Sequence, residues 1–266
     1  MKIINFDALY DVFVKEFISA KKGKYTESEL EDLQPKLYEK FSSLKIKNIG
    51  NLTPSEYYDS QKDKLLDILK EHIRREISIN DFLLSALSKH ISEDILIENL
   101  NENFSSEYLL AIITVLSIKG SKKAINRYID LLFVKNLDKE TEDALVELLK
   151  DEADIVAKYL NEKLADFYPN SICEVLSYCV NEKSVASKIL QKEFEKNLDK
   201  IPEYVSYIVK LDDESALDIL YKIIESEEIS YIDFKELKLA IEALGGYYEK
   251  ERDFSFDKNY KLLKGE

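Results

Sequence analysis

The sequence has no tryptophan, one methionine, two cysteines, four prolines and six glycines in 266 residues. So little glycine and proline cannot punctuate the many tight turns of a large β-sandwich or barrel, which leaves helices joined by short polar turns. Nowhere do eighteen apolar residues run uninterrupted, so no segment reads as a bilayer-spanning helix. The N-terminus, Met1-Lys2-Ile3-Ile4-Asn5, turns acidic at Asp7 and lacks the apolar core of a secretory signal. Cys173 and Cys179 lie six apart on one predicted helix. Their backbones would be roughly 9 Å apart at about 1.5 Å of rise per residue, too far for an unstrained disulfide. Two buried free thiols and a cytoplasmic address are the expectation.

Catalytic signatures are missing as well. The two histidines, His72 and His90, have no cysteine or second histidine at ligand spacing, so no metal site is expected. There is no Gly-x-Ser-x-Gly elbow and no cysteine–histidine signature. The one adjacent glycine pair, Gly245-Gly246, is not followed by the Lys-Ser/Thr of a phosphate-cradling loop. Acid clusters such as Asp212-Asp213-Glu214 and Glu225-Ser226-Glu227-Glu228 lack the turn glycine and alternating oxygen ligands of a calcium loop, and read as caps and solvated turns. The chain is therefore expected to be no enzyme and to carry no cofactor.

What is present is charge, apolar periodicity and helix punctuation. The composition is 45% hydrophobic and 34% charged, enough for one large core or two smaller ones. Net charge is -14, unevenly spread: residues 1–50 carry 9 basic and 8 acidic side chains, residues 201–266 carry 9 and 16. A chain this acidic repels phosphate backbones, so nucleic acid is an unlikely partner. Asp7 to Ile18 has the period of an amphipathic helix, with Gly23 as its stop. Thr26 and Glu29 have capping-box spacing and open a helix that Pro35 should break or restart. Residues 44–52 read as a loop. Thr53-Pro54-Ser55-Glu56 then combines an N-cap, a first-turn proline and a carboxylate, and predicts a long helix reaching about Glu76.

Beyond residue 78 the pattern recurs. Ile95, Ile125, Ile155 and Val185 are thirty residues apart and Ala216 follows thirty-one later. A second apolar row trails them: Leu100, Ile129, Leu160, Ile189, Leu220. Preceding apolar segments, from Phe82–Leu87 through Ile172–Cys179 to Leu237–Leu244, supply the first helix of each pair, with short turns such as Lys150-Asp151-Glu152 between. A helix pair of this length cannot bury its apolar face alone, whereas stacked neighbours share one core. The reading is all-α, an α–α superhelix of five or six helix pairs. Residues 1–77 form a helical N-terminal cap or small domain, 78–246 the repeats, and 247–266 a capping helix or tail built on Phe254, Phe256, Tyr260 and Leu263.

The stretch Ala111-Ile112-Ile113-Thr114-Val115-Leu116-Ser117-Ile118-Lys119-Gly120-Ser121-Lys122-Lys123-Ala124-Ile125 resembles the short HEAT repeats typified by phycobilisome-lyase-like proteins. Ala240-Ile241-Glu242-Ala243-Leu244-Gly245-Gly246 is similar to the first half of the same unit, although the middle turns lack the usual Gly-Asp. The resemblance covers residues 79–246. It implies a HEAT-like solenoid that binds along a concave face lined by the second helices, in a family of scaffolds, adaptors and, more rarely, enzymes.

Three residues after the anchors stand Glu98, Tyr128, Lys158, Lys188 and Ile219, with Arg127 beside Tyr128 and Lys192 one turn beyond Lys188. Arg127, Tyr128, Lys158, Lys188 and Lys192 are thus the candidate binding row, a basic strip beside Tyr128 and Tyr159. The expected role is a non-catalytic scaffold or adaptor holding a protein or peptide, acidic where it meets the strip. The alternatives are a HEAT-like enzyme, of DNA-glycosylase or lyase type, with a carboxylate or histidine facing a pocket beside the strip, and a regulatory domain that self-associates.

Overall fold

The computed structural model describes residues 3–21, 24–101, 103–163 and 165–264. Among them are sixteen α-helices and no strand, only an isolated bridge between Ile46 and Leu52. The chain divides into two compact units, Met1–Ala124 and Ile125–Glu266. The division lies inside the stretch with the thirty-residue period.

The first unit holds α1 (Phe6–Ala20), α2 (Glu27–Ser42), α3 (Pro54–Asp59), α4 (Leu65–Arg74), α5 (Asp81–His90), α6 (Glu93–Glu98) and α7 (Ser106–Ile118). Side-chain caps start six of them: Asn5, Thr26, Thr53, Asn80, Ser92 and Ser105 each accept the N–H three residues on. Thr26–Glu29 and Thr53–Glu56 are complete capping boxes. The stop expected at Gly23 lies outside the described residues. Pro35 does not break α2, which runs continuously through it. Pro35 is exposed while Leu37 and Phe41 are buried, so the backbone carbonyl it leaves unpaired faces water and the apolar face stays intact.

Nor does one helix run from Thr53 to Glu76. The chain leaves α3 at Asp59, turns through Lys62–Lys64 and re-enters helix at Leu65. The reason is a buried polar cluster. In a straight helix Tyr58 and His72 would lie roughly 21 Å apart at about 1.5 Å per residue. The turn instead brings Tyr58 Oη to 3.4 Å from His72 Nε2, while Asn80 Nδ2 donates to Tyr58 Oη at 3.2 Å. His72 Nδ1 donates to the Ser78 carbonyl at 3.0 Å, which leaves Nε2 as the acceptor. Around this cluster Phe6 meets Tyr57, Tyr58 and Phe82, and α5 packs on α3, α4 and α7.

The second unit holds α8 (Ile125–Leu132), α9 (Lys139–Lys150), α10 (Ala153–Glu162), α11 (Asn170–Leu176), α12 (Lys183–Lys196), α13 (Ile201–Leu211), α14 (Leu217–Ile224), α15 (Tyr231–Ala243) and α16 (Lys258–Lys264). It is built in two layers. In one, α9, α11, α13 and α15 pack each on the next. In the other, α8 packs on α10, α10 on α12, and α12 on the turn leading into α14. Between the layers lie Leu145, Leu149, Leu176 and Ile208 from one side and Ile129, Val156, Leu160, Leu190 and Leu220 from the other, all buried. Each such side chain contributes on the order of 1.5–3 kcal/mol of burial free energy.

Three of the five apolar anchors, Ile95, Ile155 and Val185, need a one-residue correction, while Ile125 and Ala216 stand. Ile95 is 44% and Ile155 38% exposed, and the buried row is Leu96, Ile125, Val156, Ala186 and Ala216. Cys179 lies beyond α11, which ends at Leu176, so the two cysteines do not share a helix; both thiols are free and buried. Burial pushes both up to about 12, which keeps them protonated.

Past α15 the chain crosses back over its own unit. Arg252 donates to the Ile224 and Ser226 carbonyls at the end of α14 and stacks over Phe234 and Phe254, while Tyr248 and Phe254 are buried. Asp257 accepts from the Tyr231 N–H opening α15 and from the Asn259 and Tyr260 N–H groups opening α16. Phe256 and Leu263 are not part of this packing; both are exposed.

Candidate functional site

The binding row does not survive as one line. In α8 the anchor Ile125 is buried, and a residue three positions on shares its face, so Tyr128 is in the core at 4% exposure. In α10 the anchor Ile155 is exposed, and the same rule puts Lys158 outside. Arg127 is half-buried, and Lys188 and Lys192 are exposed on α12. Lys158 lies 3.4 Å from Glu182 and is already paired. Lys188, Lys192 and Lys196 follow at four-residue intervals, a stripe along one face of α12.

The outer surface of α8, α10 and α12 carries two adjoining depressions with Leu160 as their common wall. The first, about 270 Å³, lies among Asp130, Phe133, Tyr159, Lys163 and Ala165. Its polar groups face one another: Tyr159 Oη donates to Asp130 Oδ1 at 2.7 Å, Lys163 Nζ to the same oxygen at 3.1 Å, and Lys163 also contacts the Tyr159 hydroxyl. Burial raises the Tyr159 phenol, and the adjacent Asp130 adds to this against the opposing pull of Lys163. Its hydrogen bonds to Tyr159 and Asp130 raise Lys163, so the ammonium stays charged.

The second depression, about 160 Å³, is floored by Tyr168, Val185 and Ile189 and rimmed by Lys188 and Lys192. Between the two runs Ala165–Tyr168, leading into α11. Lys192 Nζ donates to the Ala165 carbonyl at 2.9 Å and sits 5.7 Å over the Tyr168 ring. Lys196 donates to the Asp166 carbonyl and pairs with the buried Glu193 at 2.8 Å. Tyr168 turns inward against Phe133, and its hydroxyl accepts from the Ala165 N–H at 3.2 Å. Phe167 points outward, 59% exposed.

Asp130, Phe133, Lys163, Tyr168 and Lys196 were not picked out by the sequence reading. Lys196 continues a visible four-residue spacing. The others come together only through the packing of three successive helices of one layer, for which no local signal exists. Among the described residues, no group of three or more histidine, cysteine or carboxylate side chains could hold a metal ion, and no helix is long and apolar enough to cross a membrane.

Comparison with protein families, with curated proteins and with solved structures returns no match.

Proposed function

We propose that the chain is a non-catalytic HEAT-like scaffold whose α8–α10–α12 surface holds an acidic segment of a protein partner. The two-layer packing of the second unit and its near-thirty-residue register support the solenoid, with the layer of α8, α10 and α12 as its concave side. The observation that carries the binding role is the Lys188–Lys192–Lys196 stripe. It concentrates positive charge beside two apolar depressions on a molecule of net charge -14. Such a patch directs an acidic ligand to one place, since the surrounding negative surface repels it elsewhere.

Fluorescence anisotropy with a labelled hexaglutamate peptide at low salt tests this. The wild type binds, the affinity falls as salt rises, and a Lys188→Glu, Lys192→Glu variant loses at least tenfold. No binding by the wild type, or equal binding by the variant, overturns the reading. Lys158→Glu has a smaller effect, because Lys158 is paired with Glu182.

One observation favours the enzymatic alternative: Asp130 stands at a depression beside Tyr159 and Lys163, a carboxylate next to an aromatic ring and a cation as a HEAT-like DNA glycosylase would require. Incubation with alkylated duplex DNA decides it. Release of free base by the wild type but not by Asp130→Asn supports the enzyme, and no release by the wild type removes it.

A further inference from the structure

We propose that the two depressions are one bipartite site, fitted to an extended peptide with a bulky apolar residue and, two positions away, a carboxylate side chain. The inference rests on the acidic-segment reading above and gives that segment its side-chain chemistry. The Asp130 depression takes the apolar residue. Its tyrosine, lysine and aspartate are bonded to one another, and the Lys163 ammonium stands 4.5 Å over the Tyr159 ring, so the faces left for a ligand are the ring of Phe133 and the uncovered side of the Tyr159 ring. An apolar cavity of about 150 Å³ admits a benzene ring. The roughly 270 Å³ here therefore accommodates a leucine or phenylalanine side chain.

The neighbouring depression takes the carboxylate. Lys188 on its rim makes no ion pair among the described residues. Among the described residues, Lys192, on the same rim, has a carbonyl and a ring face for partners and no counter-charge. A carboxylate offers both ammonium groups that counter-charge in short, charge-assisted hydrogen bonds. The depressions share Leu160, and in an extended chain residues i and i+2 point the same way about 7 Å apart. Alternate side chains of one extended segment lying across Ala165–Tyr168 thus serve the two depressions. The requirement for an apolar partner adds selectivity among acidic segments, which charge alone would not tell apart.

The probe is a fluorescein-labelled peptide with blocked ends, Ser-Ala-Leu-Ala-Asp-Ala-Ser, beside versions in which leucine becomes alanine or aspartate becomes asparagine. The wild type binds the parent at least tenfold more tightly than either. Lys188→Gln abolishes the preference for aspartate over asparagine and keeps that for leucine. Phe133→Ala does the reverse, with its helicity checked by circular dichroism. Because the blocked ends supply no terminal carboxylate, tighter binding of a free-acid version lacking the aspartate would overturn the side-chain assignment. Equal binding of the leucine and alanine peptides, with hexaglutamate still bound, overturns the bipartite site and leaves the acidic-segment reading standing. Loss of both peptide and hexaglutamate binding removes the two together.

Discussion

Asp154 on α10 holds the turn into α12 through Asn181: its Oδ1 accepts the Asn181 backbone N–H at 2.9 Å and its Oδ2 the Asn181 side-chain amide at 2.6 Å. The N–H groups of Val180 and Glu182 reach the same Oδ1, each at 3.0 Å. The residue before α12, Glu182, makes no side-chain cap of its own. The turn entering α12 is therefore held from the neighbouring helix α10, whose Asp154 takes the Glu182 N–H at the helix start together with two N–H groups of the turn before it.

Asp154→Ala should cost about 1.5–3 kcal/mol, the usual worth of hydrogen bonds to a charged group. Burial works to raise this carboxyl, but the N–H bonds from Glu182, Asn181 and Val180 outweigh it and hold the group below its ordinary range. A depressed carboxylate contributes stability that is present above its unfolded value, near 3.9, and lost as pH falls through the folded one. Urea melts of wild type and Asp154→Asn should therefore converge as the pH drops toward 2. A constant gap would show that the contribution is not electrostatic.

Acid should loosen the first unit earlier and through another group. Burial holds His72 below its ordinary value, against the pull of its bonds to Ser78 and Ile77. The unfolded chain then takes up a proton that the folded one refuses. Stability is unaffected above about 6.5 and declines below it, by at most about 1.4 kcal/mol per pH unit until the folded value is passed. Denaturant midpoints between pH 7.5 and 5.5 should fall for the wild type and stay flatter for His72→Gln.

The register correction has a direct test. Ile155→Ser should change stability by no more than about 0.5 kcal/mol, as at ordinary exposed positions. Val156→Ser should cost about 2 kcal/mol or more, since it sets an unneeded hydroxyl in the core in place of apolar volume. Thermal melts of the two adjacent variants separate the registers, and equal losses would restore Ile155 as the inward anchor.

Lys192 and Lys196 hold the Ala165–Tyr168 segment by its carbonyls. Replacing Lys192 with methionine keeps much of the apolar stem and removes its donor to Ala165, while Lys196 stays in place because it also pairs with the buried Glu193. Chymotryptic cleavage after the exposed Phe167 should then accelerate several-fold with overall melting little changed. Unaltered cleavage would mean that Tyr168 and Lys196 secure the segment without Lys192.

How much of this was legible beforehand follows from the range of each signal. Caps are written within four consecutive residues, so Thr26, Thr53 and the paired first helices could be read from the chain. Pro35 misled because its cost depends on which side of the helix meets water, and that is decided by Leu37 and Phe41 finding a partner. The break after Asp59 was hidden for the same reason: it exists to join Tyr58 to His72, a relationship fourteen residues long that no helix signal contains. The thirty-residue period was visible, but Ile155 and Val156 are both aliphatic, so apolarity alone could not choose the inward one. Lys188 and Lys192 were found because exposure on α12 follows the period. Asp130 and Tyr168 were not, because what makes them part of a site is the neighbour thirty residues away.

The hold of Asp154 on the entry to α12 belongs to a wider habit of the second unit. Lys183 reaches the Asp212 carbonyl, Ser187 meets Ser215, and Tyr221 bonds both the carbonyl and the N–H of Tyr247, each link spanning close to one period of the chain. Polar cross-links of that span tie the folding of these helices to that of the next ones along. Neighbour coupling of this sort behaves as a one-dimensional cooperative chain, in which an opened turn removes part of the support of the adjoining one. Amide exchange across the unit should then be graded, slowest at turns held from both sides, and a lesion such as Asp154→Ala should register most strongly one repeat downstream of the altered residue.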